Sequence, residues 1–296
     1  MSLFNKIGAL FAARPEDRRI SHAASIIEAT LGSQVLSLPQ SREKLFPVVL
    51  AALDYYDGVI AAIPGPIDIA CADHQKDPRI QALFRSADDI PLGLGRSIAL
   101  RNGINWFAEQ GHDSVLALMG MRLAAPEASA AAAEGGAAPA EPVDHTFRNL
   151  GEHVEDVRAG LREAAFTALI KGFAADLKEQ VRVWRLQPAE KRPGQAGSGV
   201  EPVDLQLAQA GDLATLDRLL IALVAWLQTP ERQLAIETTD QSIFLPAIAA
   251  GESPCHLPLL ATADRRKWLA CLVRFPLLDG VNASARETRA HRYILI

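Results

Sequence analysis

The chain sets an imidazole beside a carboxylate at, among other places, His112-Asp113 and Asp144-His145. That pairing is the raw material of acid–base catalysis, in which a carboxylate orients a histidine and the histidine moves a proton. Adjacency along a chain does not itself create the orienting hydrogen bond, and a sequence with 7 His and 35 Asp plus Glu yields such neighbours by chance. His145, His112 and Asp113 are the catalytic candidates on offer, and none of them carries a motif. His145 draws more interest because it follows a low-complexity segment. No G-x-S-x-G turn is present, and Ser198, within Gly197-Ser-Gly199, lies among loop-forming residues instead of a strand–turn–helix.

Metal and phosphate chemistry have thinner material. Cys71-Ala-Asp-His74 has a Cys-x-x-His spacing and Cys255-His256 offers two more ligands. Zinc takes four ligands in a tetrahedron, and neighbouring side chains such as Cys255 and His256 diverge on most backbones. Glu109 and His112 make one Glu-x-x-His pair where a di-iron bundle needs two. The expectation is no metal and no cofactor. Gly93-Leu-Gly95-Arg-Ser97 could present backbone N–H groups to a phosphate. The third glycine and the preceding strand of a dinucleotide fold are missing, so these glycines read as a flexible join between helices. Arg265-Arg-Lys267 and Arg286, Arg289 and Arg292 are the concentrated basic groups, read as solvated faces, and no nucleic-acid role is expected.

The sharpest patterned feature is the N-terminal stripe. Leu3, Phe4, Ile7, Leu10 and Phe11 fall on one face of a helix. A helix of this kind packs on its own domain, docks in a partner's groove or lies on a membrane. Membrane contact through residues 1–13 is disfavoured, since Lys6 and the following Arg14 are the only basic residues available to it. These five residues are the partner-binding candidates.

The elements that would position such residues read as mainly helical. Ile20, Ala24, Ile27, Leu31, Val35 and Leu38 recur at helical steps until Pro39, and Leu45 to Ile63 form a second stripe ended by Pro64. Asp77-Pro78 is an N-cap followed by proline at the first helical position. Leu94, Ile98, Arg101, Ile104 and Phe107 suggest one further helix, and Asp113 caps another through Leu116, Met119 and Leu123. A helix follows from about Val154 to Leu177, and Asp212 caps a strongly apolar one over 212–228. After residue 230, short apolar runs at 233–239, 242–245, 268–275 and 293–296 permit strands. The fold expectation is mainly α, in two helical parts joined by an Ala/Pro-rich linker, with room for a small β-sheet near the C-terminus (α+β in the second part).

The linker is compositional. Residues 124–142 hold ten Ala and three Pro among nineteen, too little apolar bulk to offset their ordering entropy. The expected organisation is a helical domain over 1–123, a flexible linker over 124–142, and a helical domain with C-terminal strands over 143–296.

The whole chain has 296 residues, 49% apolar and 22% charged, with a formal net charge of −5. That suits a globular protein and gives no general pull toward nucleic acid or anionic lipid. Three cysteines are too few, and odd in number, for a disulfide scaffold, and the N-terminus is unlike a secretory signal. The longest apolar run, Leu219 to Leu227, is under half of the roughly 20 residues a membrane helix needs. The reading that follows is a cytoplasmic, non-enzymatic protein-interaction module: an adaptor, a regulatory subunit or an assembly factor binding another protein. The rival is an enzyme or small-ligand sensor with His112, Asp113, His145, Arg101 and Asp54 around a cleft between the halves. A peripheral membrane protein is the third.

Overall fold

The computed structural model describes residues 15–123, 142–186, 202–209, 211–237, 243–247 and 254–292. In chain order the elements are α1 (Pro15–Leu31), α2 (Gln34–Ser37), α3 (Ser41–Ala61), β1 (Ile67–Asp68), α4 (Pro78–Leu83), α5 (Asp89–Arg96), α6 (Ile98–Glu109), β2 (Ser114–Leu123), β3 (Pro142–Gly151), α7 (Val154–Leu186), α8 (Leu205–Gln209), α9 (Leu213–Leu227), β4 (Leu234–Glu237), β5 (Phe244–Leu245), β6 (Cys255–His256), β7 (Leu259–Thr262), β8 (Lys267–Pro276) and α10 (Leu277–Arg292). The chain divides into two compact units, one of residues 1–58 with 162–233, the other of 59–161 with 234–296.

The first unit is helical. Its interior holds Ile27, Leu31, Leu45, Val49, Tyr56, Phe166, Leu169, Phe173, Leu220 and Leu223. The stripe from Ile20 to Leu38 is not one helix: Gly32, at φ 95°, ends α1, and the backbone of α2 restarts two residues later. A left-handed residue at that position is the usual helix stop, and glycine adopts it without strain. Pro47 lies inside α3 and is tolerated there. Asp212 caps α9 by accepting the Thr215 N–H at 2.9 Å. Tyr56 is fully buried and its hydroxyl donates to the Pro230 carbonyl at 3.2 Å.

The second unit corrects the fold expectation. In place of a second helical part with a small terminal sheet stands a six-stranded sheet of order β3-β2-β8-β7-β4, with β1 paired in parallel to β8. Helices still take up 61% of the described residues. The sheet nevertheless recruits segments from both sides of residues 124–141, which lie outside the described residues, as do the apolar run at 293–296 and residues 238–242 between β4 and β5. The largest single error is at 114–123. Asp113 caps no helix, because Leu116 and Met119 belong to β2, a central strand between β3 and β8. Val115, Leu116, Ala117, Met119 and Met121 are all buried. A strand covered on both faces shows a continuous apolar run, which periodicity cannot distinguish from a buried helix. The antiparallel partner β3 begins at Pro142, within the segment expected to be linker.

The helix expected through Leu94, Ile98 and Phe107 is two helices, broken at Ser97. Ser97 has extended backbone (ψ 116°), and its Oγ accepts the Leu100 N–H at 3.3 Å, capping α6. The same hydroxyl donates to the Phe147 carbonyl on β3 at 2.7 Å. This elbow pins α5 and α6 against the edge strand and turns Ile98 outward. Around the sheet, Ile80, Leu83, Phe84, Ile90, Leu94, Phe147, Cys271 and Phe275 form one continuous apolar core.

Candidate functional site

Two concavities stand out, one in each unit. The smaller lies between α5, the turn after α4 and β3, with a volume of about 140 Å³. Its wall is Arg85, Asp89, Leu92, Gly93, Arg96, Asp144 and His145. The approach of α5 to β3 depends on Gly93: a Cβ there would come 3.1 Å from the His145 Cβ and 3.3 Å from the Phe147 ring. Gly95 serves the opposite side of the helix, where a Cβ would meet the Ala283 carbonyl of α10 at 2.8 Å. The Gly93-Leu-Gly95 segment is therefore neither a phosphate cradle nor a flexible join. It is helix, thinned on two sides so that a strand and another helix can pack on it.

The His145 imidazole stacks on Phe84, with centroids 4.5 Å apart and planes at 18°. Its Nε2 lies 2.8 Å from the Leu83 carbonyl oxygen. A carbonyl only accepts, so Nε2 carries the proton and Nδ1 keeps its lone pair. His74 makes the equivalent bond from its Nε2 to the Phe84 carbonyl at 3.0 Å. Two imidazoles thus satisfy carbonyls at the end of α4, groups that a helix C-terminus leaves without intrahelical partners. Burial pushes the His145 pKa below the ordinary histidine value, against the Leu83 carbonyl and the carboxylates of Asp89 and Asp144, which act upward. The ring is neutral near pH 7. Asp144 faces Arg122 at 3.9 Å, and Asp89 accepts the Ser86 N–H at 2.9 Å.

The other candidates are placed apart from this hollow. His112 packs beside Trp106 and Phe107, with ring centroids 6.0 and 5.6 Å away, and its Nδ1 lies 3.7 Å from Glu152 Oε1. Asp113 is exposed, and its carbonyl accepts the Leu277 N–H at 3.0 Å. Asp54 belongs to the first unit, where Arg19 bridges it and Asp57 at 2.8 and 2.9 Å. Arg162 closes on the other side of Asp57. Among the described residues, no hydrogen bond or ion pair joins any two of His112, Asp113, His145, Arg101 and Asp54. The thiols of Cys71, Cys255 and Cys271 are all pushed upward, chiefly by burial, and so stay protonated. Among the described residues no three of His, Cys, Asp and Glu gather as metal ligands would. Leu3, Phe4, Ile7, Leu10 and Phe11 lie outside the described residues, as does Ser198. No described helix is long and apolar enough to cross a membrane.

The larger concavity, about 510 Å³, is a groove in the first unit between the last turns of α7, α8 and Thr30 of α1. Leu177, Val181, Leu186 and Leu205 supply its apolar surface; Lys178, Arg182, Arg185 and Asp204 supply its charges. Arg185 bridges α7 to Asp204 at 2.8 Å, and Arg182 pairs with Glu179, which stands outside the lining, at 2.6 Å. Leu186 in the lining is 71% exposed; Leu207 of α8 and Val183 of α7 are exposed too, Leu207 at 53%. The periodicity that ends a helix at Leu177 misses this groove, because α7 runs on to Leu186. The available signal was Val181, Val183 and Leu186, apolar residues placed among Arg182, Arg185 and the polar segment that follows.

Set against known proteins, the chain matches no family model, no curated protein and no solved structure.

Proposed function

We propose that the protein is a non-enzymatic interaction module, an adaptor, regulatory subunit or assembly factor, that holds an apolar helix of a partner protein in the groove of its first unit. One observation carries this reading: Leu186, 71% exposed, lines a groove whose apolar surface also includes Leu177, Val181 and Leu205, and α8, which supplies Leu205 to it, carries a second exposed leucine, Leu207. Large aliphatic side chains grouped in this way beside a concave surface are a common mark of a protein interface. Covering one exposed leucine fully contributes about 1.5–3 kcal/mol, so Leu186 and Leu207 together supply a useful share of a micromolar affinity. The groove's lining holds three cations against the single carboxylate of Asp204, which favours a partner helix with acidic flanks.

The N-terminal stripe of Leu3, Phe4, Ile7, Leu10 and Phe11 is the second contact in this reading, suited to bivalent attachment. A reducing, cytosol-like compartment fits the three unpaired cysteines.

The test is affinity purification of the intact chain from its own cell, run in parallel with Leu186→Asp, Leu207→Asp, Phe4→Asp and Ile221→Asp. A stoichiometric protein lost with the two groove variants and kept with Ile221→Asp supports the groove. Loss with Phe4→Asp assigns the stripe a share. Equal recovery from all five forms contradicts the reading.

A further inference from the structure

We infer that the hollow beside His145 binds a small protonated oxyanion, of which hydrogen phosphate is the simplest example. Size sets the class first. The 140 Å³ hollow holds four or five waters at about 30 Å³ each, well below the roughly 300 Å³ at which drug-sized sites begin. A tetrahedral oxyanion fits within it.

The chemistry of the wall sets the rest. Arg85 and Arg96 bring guanidinium donors, and Arg96 makes no ion pair among the described residues. The remaining polar groups accept. Nε2 of His145 is held by the Leu83 carbonyl, so the ring offers the Nδ1 lone pair. Asp144 and Asp89 line the same hollow and keep lone pairs beyond those engaged by Arg122 and Ser86. A fully ionised anion would meet the guanidiniums and be repelled by the acceptors. An oxyanion that still carries a proton satisfies both sets: its charged oxygens accept from arginine while its O–H donates to Nδ1 or a carboxylate. The mixed charge of the hollow thus becomes a basis for selection.

The experiment titrates the full-length chain, with ¹⁵N-labelled histidine, with inorganic phosphate and in parallel with sulfate at about pH 6.5, near the ordinary histidine value. Phosphate is expected to shift the His145 ring signals saturably, and sulfate, which carries no proton at that pH, to bind at least about tenfold more weakly. Arg96→Gln, an exposed position, is expected to weaken phosphate about tenfold with thermal unfolding unchanged. Asp144→Asn is expected to narrow the gap between the two ions. Equal affinity for phosphate and sulfate would reduce the hollow to a cationic patch and overturn the inference. Absence of a saturable shift, or ¹⁵N signals showing the proton on Nδ1, would overturn it too.

Discussion

In the sheet-bearing unit, polar side chains are turned onto backbone carbonyls: Ser97 onto Phe147, His145 onto Leu83, His74 onto Phe84. In the helical unit a set of ion pairs stands beside neutral links such as Tyr56 to Pro230 and Trp226 to Leu169: Arg19 to Asp54 and Asp57, Arg162 to Asp57, Arg185 to Asp204. The first set is buried or half-buried and satisfies groups that would otherwise be orphaned. The second is partly exposed and screened by water. The sheet unit seals a continuous apolar core around its strands. The helical unit leaves leucines standing at a groove. The difference teaches where each kind of tie acts: the bonds to carbonyls named in the sheet-bearing unit close over backbone groups away from solvent, and the ion pairs named in the helical unit lie nearer to water.

The strongest challenge to that contrast is Phe275→Ala. Phe275 is fully buried and sits edge-on to Phe147, with centroids 6.1 Å apart. A loss of about 3–5 kcal/mol in denaturant unfolding is expected. Next comes Ser97→Ala, which orphans the Phe147 carbonyl and uncaps α6. The expected cost is about 1–3 kcal/mol. In the helical unit, Asp57→Asn weakens two ion pairs at a carboxylate still a third exposed, and about 1 kcal/mol is expected after solvent screening. A larger cost for Asp57→Asn than for Ser97→Ala would break the contrast.

The pH response of His145 is a smaller effect with a definite sign. Its folded pKa is depressed, so below the ordinary histidine value the unfolded chain takes up a proton that the folded chain refuses. Its contribution to stability is full above that value and declines as pH falls through the folded one. The stability difference between the parent chain and His145→Gln should therefore shrink between about pH 7 and pH 5. A difference that grows on acidification would mean that the charged ring is favoured. The least effect on stability is expected from Leu186→Asp, within about 0.5 kcal/mol, because the side chain is mostly exposed.

Much of the helical unit was legible. Asp212 caps α9, a feature that depends on a neighbour three residues away. The Asp77-Pro78 start of α4, in the other unit, was legible for the same reason. What escaped was non-local. The run Val115 to Met121 is apolar because β3 and β8 flank it, and nothing within the run itself separates that from a helix. Ser97 looks like a mid-helix residue until Phe147, fifty residues on, supplies the carbonyl its hydroxyl binds. Of the candidate site, His145 was found by type alone. Its partners Leu83, Phe84 and Gly93 carry no chemical signature, and their role comes from packing.

The groove as a partner-binding surface is best tested by amide hydrogen exchange on the intact chain, alone and bound to the protein it retains. Protection gathered in residues 177–186 and 205–209, and abolished by Leu207→Asp, is the expected result. Protection confined to the sheet-bearing unit, with those residues exchanging as fast as in the chain alone, would contradict it.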